Sequence, residues 1–282
     1  YPRVPVDNQS GVYYVWNRAE SFRVPIVRRA KATQAPKIGL QVSSATYFAN
    51  NYALRCDLPY EDISNADASL QLRQSASNRI IDGLTLAWED RLAVTLTTTT
   101  NMGSSTSLTN NWLDHVNGQP VEDLRVGIES IRSVTGFKPN KALFSGWAWS
   151  RFSNHPDVVR FIRGAGDNAG GGFVTEQQVA AAFRFSEVLI GEGVKNTADE
   201  EIPGSFVDVW STACILMYVA PAPGLMTPTH GYTFTWQPEG FPAPFAVERR
   251  RDDDIKAEIV ETHTFQVEQV VASELGYLIV NT

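Results

Sequence analysis

Residues 245–281 read FAVERRRDDDIKAEIVETHTFQVEQVVASELGYLIVN, a strand-rich ending dense in Val, Ile, Thr, Phe and Tyr. It follows Trp210, an apolar run at 213–220 and a Pro-rich run at 221–228. Working back from that ending, the chain carries a long helical stretch and, at its start, a basic arm. This combination describes an assembly subunit better than an enzyme. The motif inventory agrees: no segment supplies a nucleotide loop, a metal-ligand cluster or a nucleophile with its base at a recognisable spacing.

The long helix is read from Asn65 or Asp67, either of which can cap it, to about Thr97. Ile80, Leu84, Trp88 and Leu92 form one i, i+4 row with Ile81 beside it, while Gln71, Arg73, Asn78, Asp82 and Glu89 occupy other faces. A narrow apolar stripe on a long helix fits a spine lying across a sheet. At the helical rise, roughly thirty residues make a rod of about 45 Å.

Between the spine and the strand-rich ending, the pattern mixes helices and strands. A Thr, Ser and Asn tract at 97–111 reads as a mobile surface loop. Pro120 opens a helix carrying Val121, Leu124, Ile128 and Ile131, and Gly136 closes it. Residues 141–145 read as a short buried strand, 156–163 as a helix and 164–172 as a Gly-rich connection. Thr175 and Gln178 make a capping box ahead of Val179, Ala182 and Phe183, and strands follow at 187–194 and 206–219. The order does not alternate strictly, so the class is α+β rather than doubly wound α/β.

Charge is distributed unevenly. Residues 1–37 hold seven basic side chains (Arg3, Arg18, Arg23, Arg28, Arg29, Lys31 and Lys37) against Asp7 and Glu20, a net of +5 in a chain of net −7, so the remainder carries −12. Residues 1–10 read as an extended arm: Pro2 and Pro5 forbid helix and no apolar face docks it locally. Residues 11–57 then alternate β-branched, aromatic and basic residues, with a turn at 35–39 between segments ending near Val27 and resuming near Leu40. A two-stranded excursion of that length is marginal in water and needs packing elsewhere. Its charges are spaced rather than clustered, which favours an acidic neighbouring subunit over DNA as the partner.

The remaining candidates for chemistry are weak. The glycines at 164–172 follow a helix instead of a strand and no Lys follows them, against a phosphate loop. His115, His155, His230 and His263 are far apart in sequence, and His155 reads as a helix start. Ser145-Gly146-Trp147 is half a nucleophile elbow, but Leu143 stands where the first glycine belongs. Arg249, Arg250 and Arg251 before Asp252, Asp253 and Asp254 read as a solvated turn or a subunit-bridging ion-pair cluster. Trp147 and Trp149 read as core. No catalytic residue, metal ligand or cofactor is expected.

At 282 residues, about two-fifths of them apolar, the chain can bury a substantial core. No apolar run approaches the ~20 residues that span a bilayer. Cys56 and Cys214 sit among apolar neighbours and read as free buried thiols of a reducing compartment.

Taken in order, arm, long hairpin, spine helix, mixed central region and late strands resemble the major capsid proteins of tailed bacteriophages with the Hong Kong 97 fold. The passages closest to that pattern are 139–146 leading to 154–158, then 188–198, Trp210, 219–221 and 275–281. The resemblance implies an N-terminal arm at 1–10, an extended β-hairpin loop at 11–62, a peripheral domain with the spine helix at 63–111 and 245–275, and an axial domain at 112–244 and 276–282. It implies hexamers and pentamers of an icosahedral shell that encloses double-stranded DNA without sequence-specific binding. Portal, scaffolding and decoration proteins are the implied partners, and the virion, assembled in a bacterial cytoplasm, the implied location. The interface candidates are then Arg18, Arg23, Arg28, Arg29, Lys31, Lys37 and 249–254, with the basic loop resting on an acidic neighbour. A start at Tyr1 fits the removal of an N-terminal segment, which is common in that family.

Two other readings stand beside it. The same architecture builds encapsulin-like compartments that enclose enzymes. A soluble carbohydrate-active enzyme would instead show a concave pocket with carboxyls of shifted pKa.

Overall fold

The computed structural model describes all residues except 26, 30, 32, 33, 36, 40–42, 67–70, 165–171, 199–202, 225, 226, 240–244 and 282. In chain order its first half contains β1 (Arg3–Val6), β2 (Ser10–Val15), α1 (Arg18–Ser21), β3 (Ser43–Phe48), β4 (Asn50–Pro59), α2 (Tyr60–Asn65), α3 (Leu72–Thr97), β5 (Ser104–Ser107) and α4 (Pro120–Thr135). Then come β6 (Lys141–Ser145), α5 (Gly146–Phe152), α6 (Pro156–Arg163), α7 (Glu176–Phe183), β7 (Glu187–Gly191), β8 (Val194–Asn196) and β9 (Phe206–Asp208). The chain ends with β10 (Ala213–Met217), β11 (Gly231–Trp236), β12 (Ala246–Asp252), β13 (Ala257–Val270) and β14 (Gly276–Val280).

The strand-rich ending supplies the centres of two sheets. In the first, the long β13 pairs with β4 along one edge and with β12 and then β11, end to end, along the other; β1 adds to β11 in parallel. The second has the order β5-β14-β10-β6-β7. Its central strand β10 is buried throughout, and strand alternation sorts its side chains. Cys214 and Leu216 join Phe144, Ile279 and Leu124 in a core under α4, whereas Ile215 and Met217 join Leu143 and Leu278 under the C-terminal end of α3. Truncating a fully buried Ile or Leu in such a core costs about 2–5 kcal/mol.

Helix α3 spans 26 residues, about 39 Å at the helical rise. Ala76, Ile80 and Leu84 pack with Val260 of the first sheet, and Leu92, Ala93 and Leu96 pack on the second. The spine therefore joins the two sheets. It does not run unbroken from Asn65: α2 ends there, Ala66 is extended, and Gln71 enters α3 in the left-handed region at φ 43°. Asp67 lies outside the described residues. The break lets the chain leave the end of β4 and turn back across the sheet.

Local signals match their elements closely. Pro120 sits in the first turn of α4 and Gly136 closes it at φ 73°; both halves of the Thr175–Gln178 capping box form; His155 caps α6. Two expectations fail. Residues 97–111 are not simply a loop: a 3-10 turn at Thr99–Asn101 leads to β5, which pairs in parallel with β14. The first ten residues dock on their own subunit, because Val4 and Val6 pack with Phe234, Tyr232 and Tyr47. Of the Gly-rich connection, 165–171 lie outside the described residues.

Candidate functional site: an assembly surface

The excursion expected at 11–57 begins as a two-stranded ladder, β2 with β3. Its inward face is held by Tyr13 and Tyr47, whose rings lie 5.4 and 4.9 Å from that of Phe234. Its outward face leaves Val12, Tyr14 and Phe48 exposed. Past Val15 the ladder stops. Asn17 caps the single-turn α1 through its side-chain oxygen (Ala19 N–H donor, 3.0 Å), and Trp16 turns inward against Phe22 and Phe137. Phe22–Pro25 and Val27 are thus not part of a strand ladder, Ile26 lies outside the described residues, and the turn expected around Pro36 falls partly outside them too.

Beyond this aromatic clamp, the described residues up to Gly39 are exposed. Val24, Val27 and Ile38 are 90, 80 and 78% exposed. Arg18, Arg23, Arg28, Arg29, Lys31 and Lys37 are exposed too. Arg18, Arg28, Arg29, Lys31 and Lys37 make no ion pair or side-chain hydrogen bond among the described residues. Apolar side chains this exposed, interleaved with unpaired cations, form a surface suited to a partner that is both acidic and apolar.

The second charged cluster runs along β12 into its turn. Arg250 pairs with Glu261 at 3.3 Å, and Arg251 pairs with Asp253 at 2.9 Å while lying over the Tyr60 ring. Asp252 accepts the Asp254 backbone N–H at 3.0 Å, which closes the turn. Arg249 and the Asp254 carboxylate have no partner among the described residues, and Ile255 beside them is half exposed. Exposed pairs of this kind contribute about 0–1 kcal/mol each and act chiefly on register and partner choice.

The candidates for chemistry resolve into structure. Ser145 is buried and its Oγ accepts the Ala148 backbone N–H at 3.1 Å, so it caps α5. His115 and His155, distant in sequence, come together with ring centres 5.2 Å apart. His155 Nδ1 accepts the Asp157 N–H and Nε2 donates to the Asp114 carbonyl, while burial lowers its pKa. His263 contacts Glu261, and His230 is buried between the sheets. Among the described residues no group of three His, Cys, Asp or Glu side chains is placed to hold a metal. Burial raises the Asp123 carboxyl pKa, and this group accepts the Trp112 indole N–H at 2.8 Å at the edge of the core. Trp149 packs on Phe144 and Phe152, and Trp147 lies under Arg151. Among the described residues no helix is long and apolar enough to cross a membrane.

Two tertiary ties escaped the sequence reading. Trp210 donates its indole N–H to Glu89 at 2.6 Å, and Lys195 pairs with Asp90 at 2.6 Å, anchoring the β8–β9 hairpin to α3. Nothing local to Glu89 signals a partner 121 positions away.

No family model matches the chain. It is 23% identical to the major capsid protein of Burkholderia phage BcepMu, an alignment covering 99% of this chain and 88% of that protein. The major capsid protein of Pseudomonas phage JBD67 is 20% identical over 77% of the chain and 69% of its own length. Among solved structures, a phage-related protein from Bordetella bronchiseptica superposes with a TM-score of 0.72 at 23% identity, covering 99% of this chain and 89% of that one. The capsid of cyanophage P-SCSP1u gives 0.62 at 8% identity, covering 100% and 86%. An encapsulin of Synechococcus elongatus gives 0.56 at 11%, covering 100% and 85%. The chain has the Hong Kong 97-type α+β fold of phage capsid subunits, and its relatives by sequence are phage major capsid proteins.

Proposed function

We propose that this protein is the major capsid protein of a bacteriophage and assembles into pentamers and hexamers of an icosahedral shell around double-stranded DNA. The observation that carries this reading is the loop in which Val24, Val27 and Ile38 are exposed and Arg28, Arg29, Lys31 and Lys37 have no partner among the described residues. A second copy supplies what it lacks, since the body outside 1–37 carries a net −12. In this reading Arg18, Arg23, Arg28, Arg29, Lys31 and Lys37 lie at one subunit contact, and 249–254 at another in which Arg249 and Asp254 find partners on neighbouring copies. The acidic body suits a shell that encloses DNA without gripping it, because tight phosphate contact needs clustered Lys and Arg.

In this reading the peripheral domain (63–111 and 245–275) holds the spine with β12 and β13, and the axial domain (112–244 and 276–282) holds α4 to α7 with β6, β7, β10 and β14. β11 pairs within the first sheet and β5 within the second. Portal, scaffolding and decoration proteins complete the assembly, which takes place in the host cytoplasm and ends in the virion. The protein is not an enzyme and uses no cofactor.

A compartment shell is the second reading, supported by the likeness to an encapsulin. Negative-stain microscopy with light scattering, at low and high salt, tests assembly: closed shells, capsomers or tubes are expected, and a monomer at every salt and concentration overturns the proposal. Nuclease-protected DNA inside particles from infected cells separates a virion from a compartment carrying protein cargo.

A further inference from the structure

The sheet face that α3 covers changes character along the helix. Two even-numbered residues of β13 meet α3: Val260 packs with Ile80 and Leu84, and Glu268 reaches Arg91 at 3.5 Å, and strand alternation puts the even-numbered residues between them on the same face. Between them, where an interior face calls for apolar residues, stand Thr262, Thr264 and Gln266, with Thr233 of β11 opposite Glu268. All four are at most 2% exposed.

Four of their side-chain polar atoms find no protein partner among the described residues. Thr233 Oγ1, Thr262 Oγ1, Thr264 Oγ1 and Gln266 Nε2 are buried and unpaired, as are Trp88 Nε1 and Arg91 Nε, which belong to the facing stretch of α3. Only Tyr60 Oη, among the described residues, shares that condition elsewhere. Six such atoms in one layer, left dry, would each forfeit the hydrogen bond they make in water, a loss that marginally stable domains do not sustain. The surroundings do not relieve them, since Arg91 is committed to Glu268 and stacks on Tyr52 at 3.6 Å, and Arg3 lies over Trp88.

We infer that the seam between the middle of α3 and the first sheet is a binding site for ordered water, which bridges the Thr and Gln side chains of the sheet to the Trp88 and Arg91 donors of the helix. The chemistry suits water: hydroxyls both donate and accept, the indole and guanidinium N–H groups donate, and a bridging molecule finds the two to four polar partners that buried water needs. Apolar contacts close the layer at both ends, at Ile80 and Leu84 on one side and Leu92 and Leu96 on the other. The inference stands on the single subunit and does not depend on how copies assemble.

A map of the full-length protein at a resolution that shows ordered water is the direct test. Density within hydrogen-bond reach of Thr264 Oγ1 and Gln266 Nε2 is expected; a dry seam, or one closed by direct side-chain bonds, overturns the inference. Thermal unfolding of Thr264→Val and Thr233→Val gives an independent readout, because Val matches the shape of Thr without its hydroxyl. Loss of a water anchor lowers Tm by about 2–4 °C, and Thr264→Ser, which keeps the hydroxyl, retains the water density. A rise in Tm for the Val variants overturns the inference, since it means that the hydroxyls are dry and unpaired.

Discussion

The Tyr1 phenol lies 2.6 Å from His230 Nδ1, joining residues 229 positions apart where the two sheets meet. A carbonyl can only accept, so His230 Nε2, 3.1 Å from the Asn101 oxygen, carries the ring proton, and Nδ1 accepts from Tyr1. The backbone of His230 is equally committed, donating to Tyr218 and accepting from Val271, each at 2.8 Å. Burial pushes the imidazole pKa down to about 4.

This burial makes stability depend on pH. The unfolded imidazole titrates near 6.5, so between 6.5 and about 4 the unfolded chain binds a proton that the folded chain refuses. The contribution of His230 is complete above pH 6.5 and falls by about 3 kcal/mol as pH drops to 4. Denaturant unfolding from pH 7.5 to 4.5 should show a steeper decline for the parent than for His230→Gln. Equal slopes would refute the assignment.

Gly127 lies in α4 where a side chain has no room. A Cβ there would stand 2.8 Å from both Leu216 Cδ1 and Tyr277 Cδ1, two buried side chains of the second sheet. Gly→Ala in a helix gains up to about 1 kcal/mol, but overpacking costs about 1–3 kcal/mol. Gly127→Ala is therefore expected to lose about 1 kcal/mol or more, read from the midpoint of urea unfolding; a gain would mean that the core has slack.

The two thiols should differ in reactivity. Cys214 is fully buried, and burial raises its pKa well above the ordinary value, whereas Cys56 is half-buried. With a thiol reagent at neutral pH, Cys56 labels in the native state and Cys214 labels only on unfolding. Native labelling that survives Cys56→Ser would contradict this.

Reversing charge on the exposed loop separates folding from assembly. Arg28→Glu, Arg29→Glu, Lys31→Glu and Lys37→Glu together touch no described partner, so unfolding should shift by no more than about 0.5 kcal/mol per site. Particle formation, followed by light scattering at low salt, should fail. Unimpaired assembly of the fourfold variant would remove the loop from the subunit contact.

How much was legible in the sequence follows from the range of each signal. Pro120, Gly136, Thr175 with Gln178, and His155 mark helix ends by contacts within a few residues, and each lies at the predicted boundary. The basic loop was equally plain, since charge is read directly. That Arg28, Arg29, Lys31 and Lys37 lack partners among the described residues was not, because pairing is a property of the folded surface. The strand β5 escaped notice because Ser-Ser-Thr-Ser has no apolar alternation; it is a strand through backbone bonds to β14, more than 160 residues later. Likewise β1 has its partner in β11, some 230 positions on.

By itself the sequence determined the α+β class, the positions of the locally capped helices, the apolar strands of the second sheet and the opposition of a basic loop to an acidic body. Those features depend on neighbours along the chain or on composition. Tertiary structure alone decided the seating of the first residues, the break before the spine and the burial of Thr262, Thr264 and Gln266. In sequence that alternation of polar residues reads as a solvent face. It is interior only because α3, which precedes it by some 170 residues, folds across it.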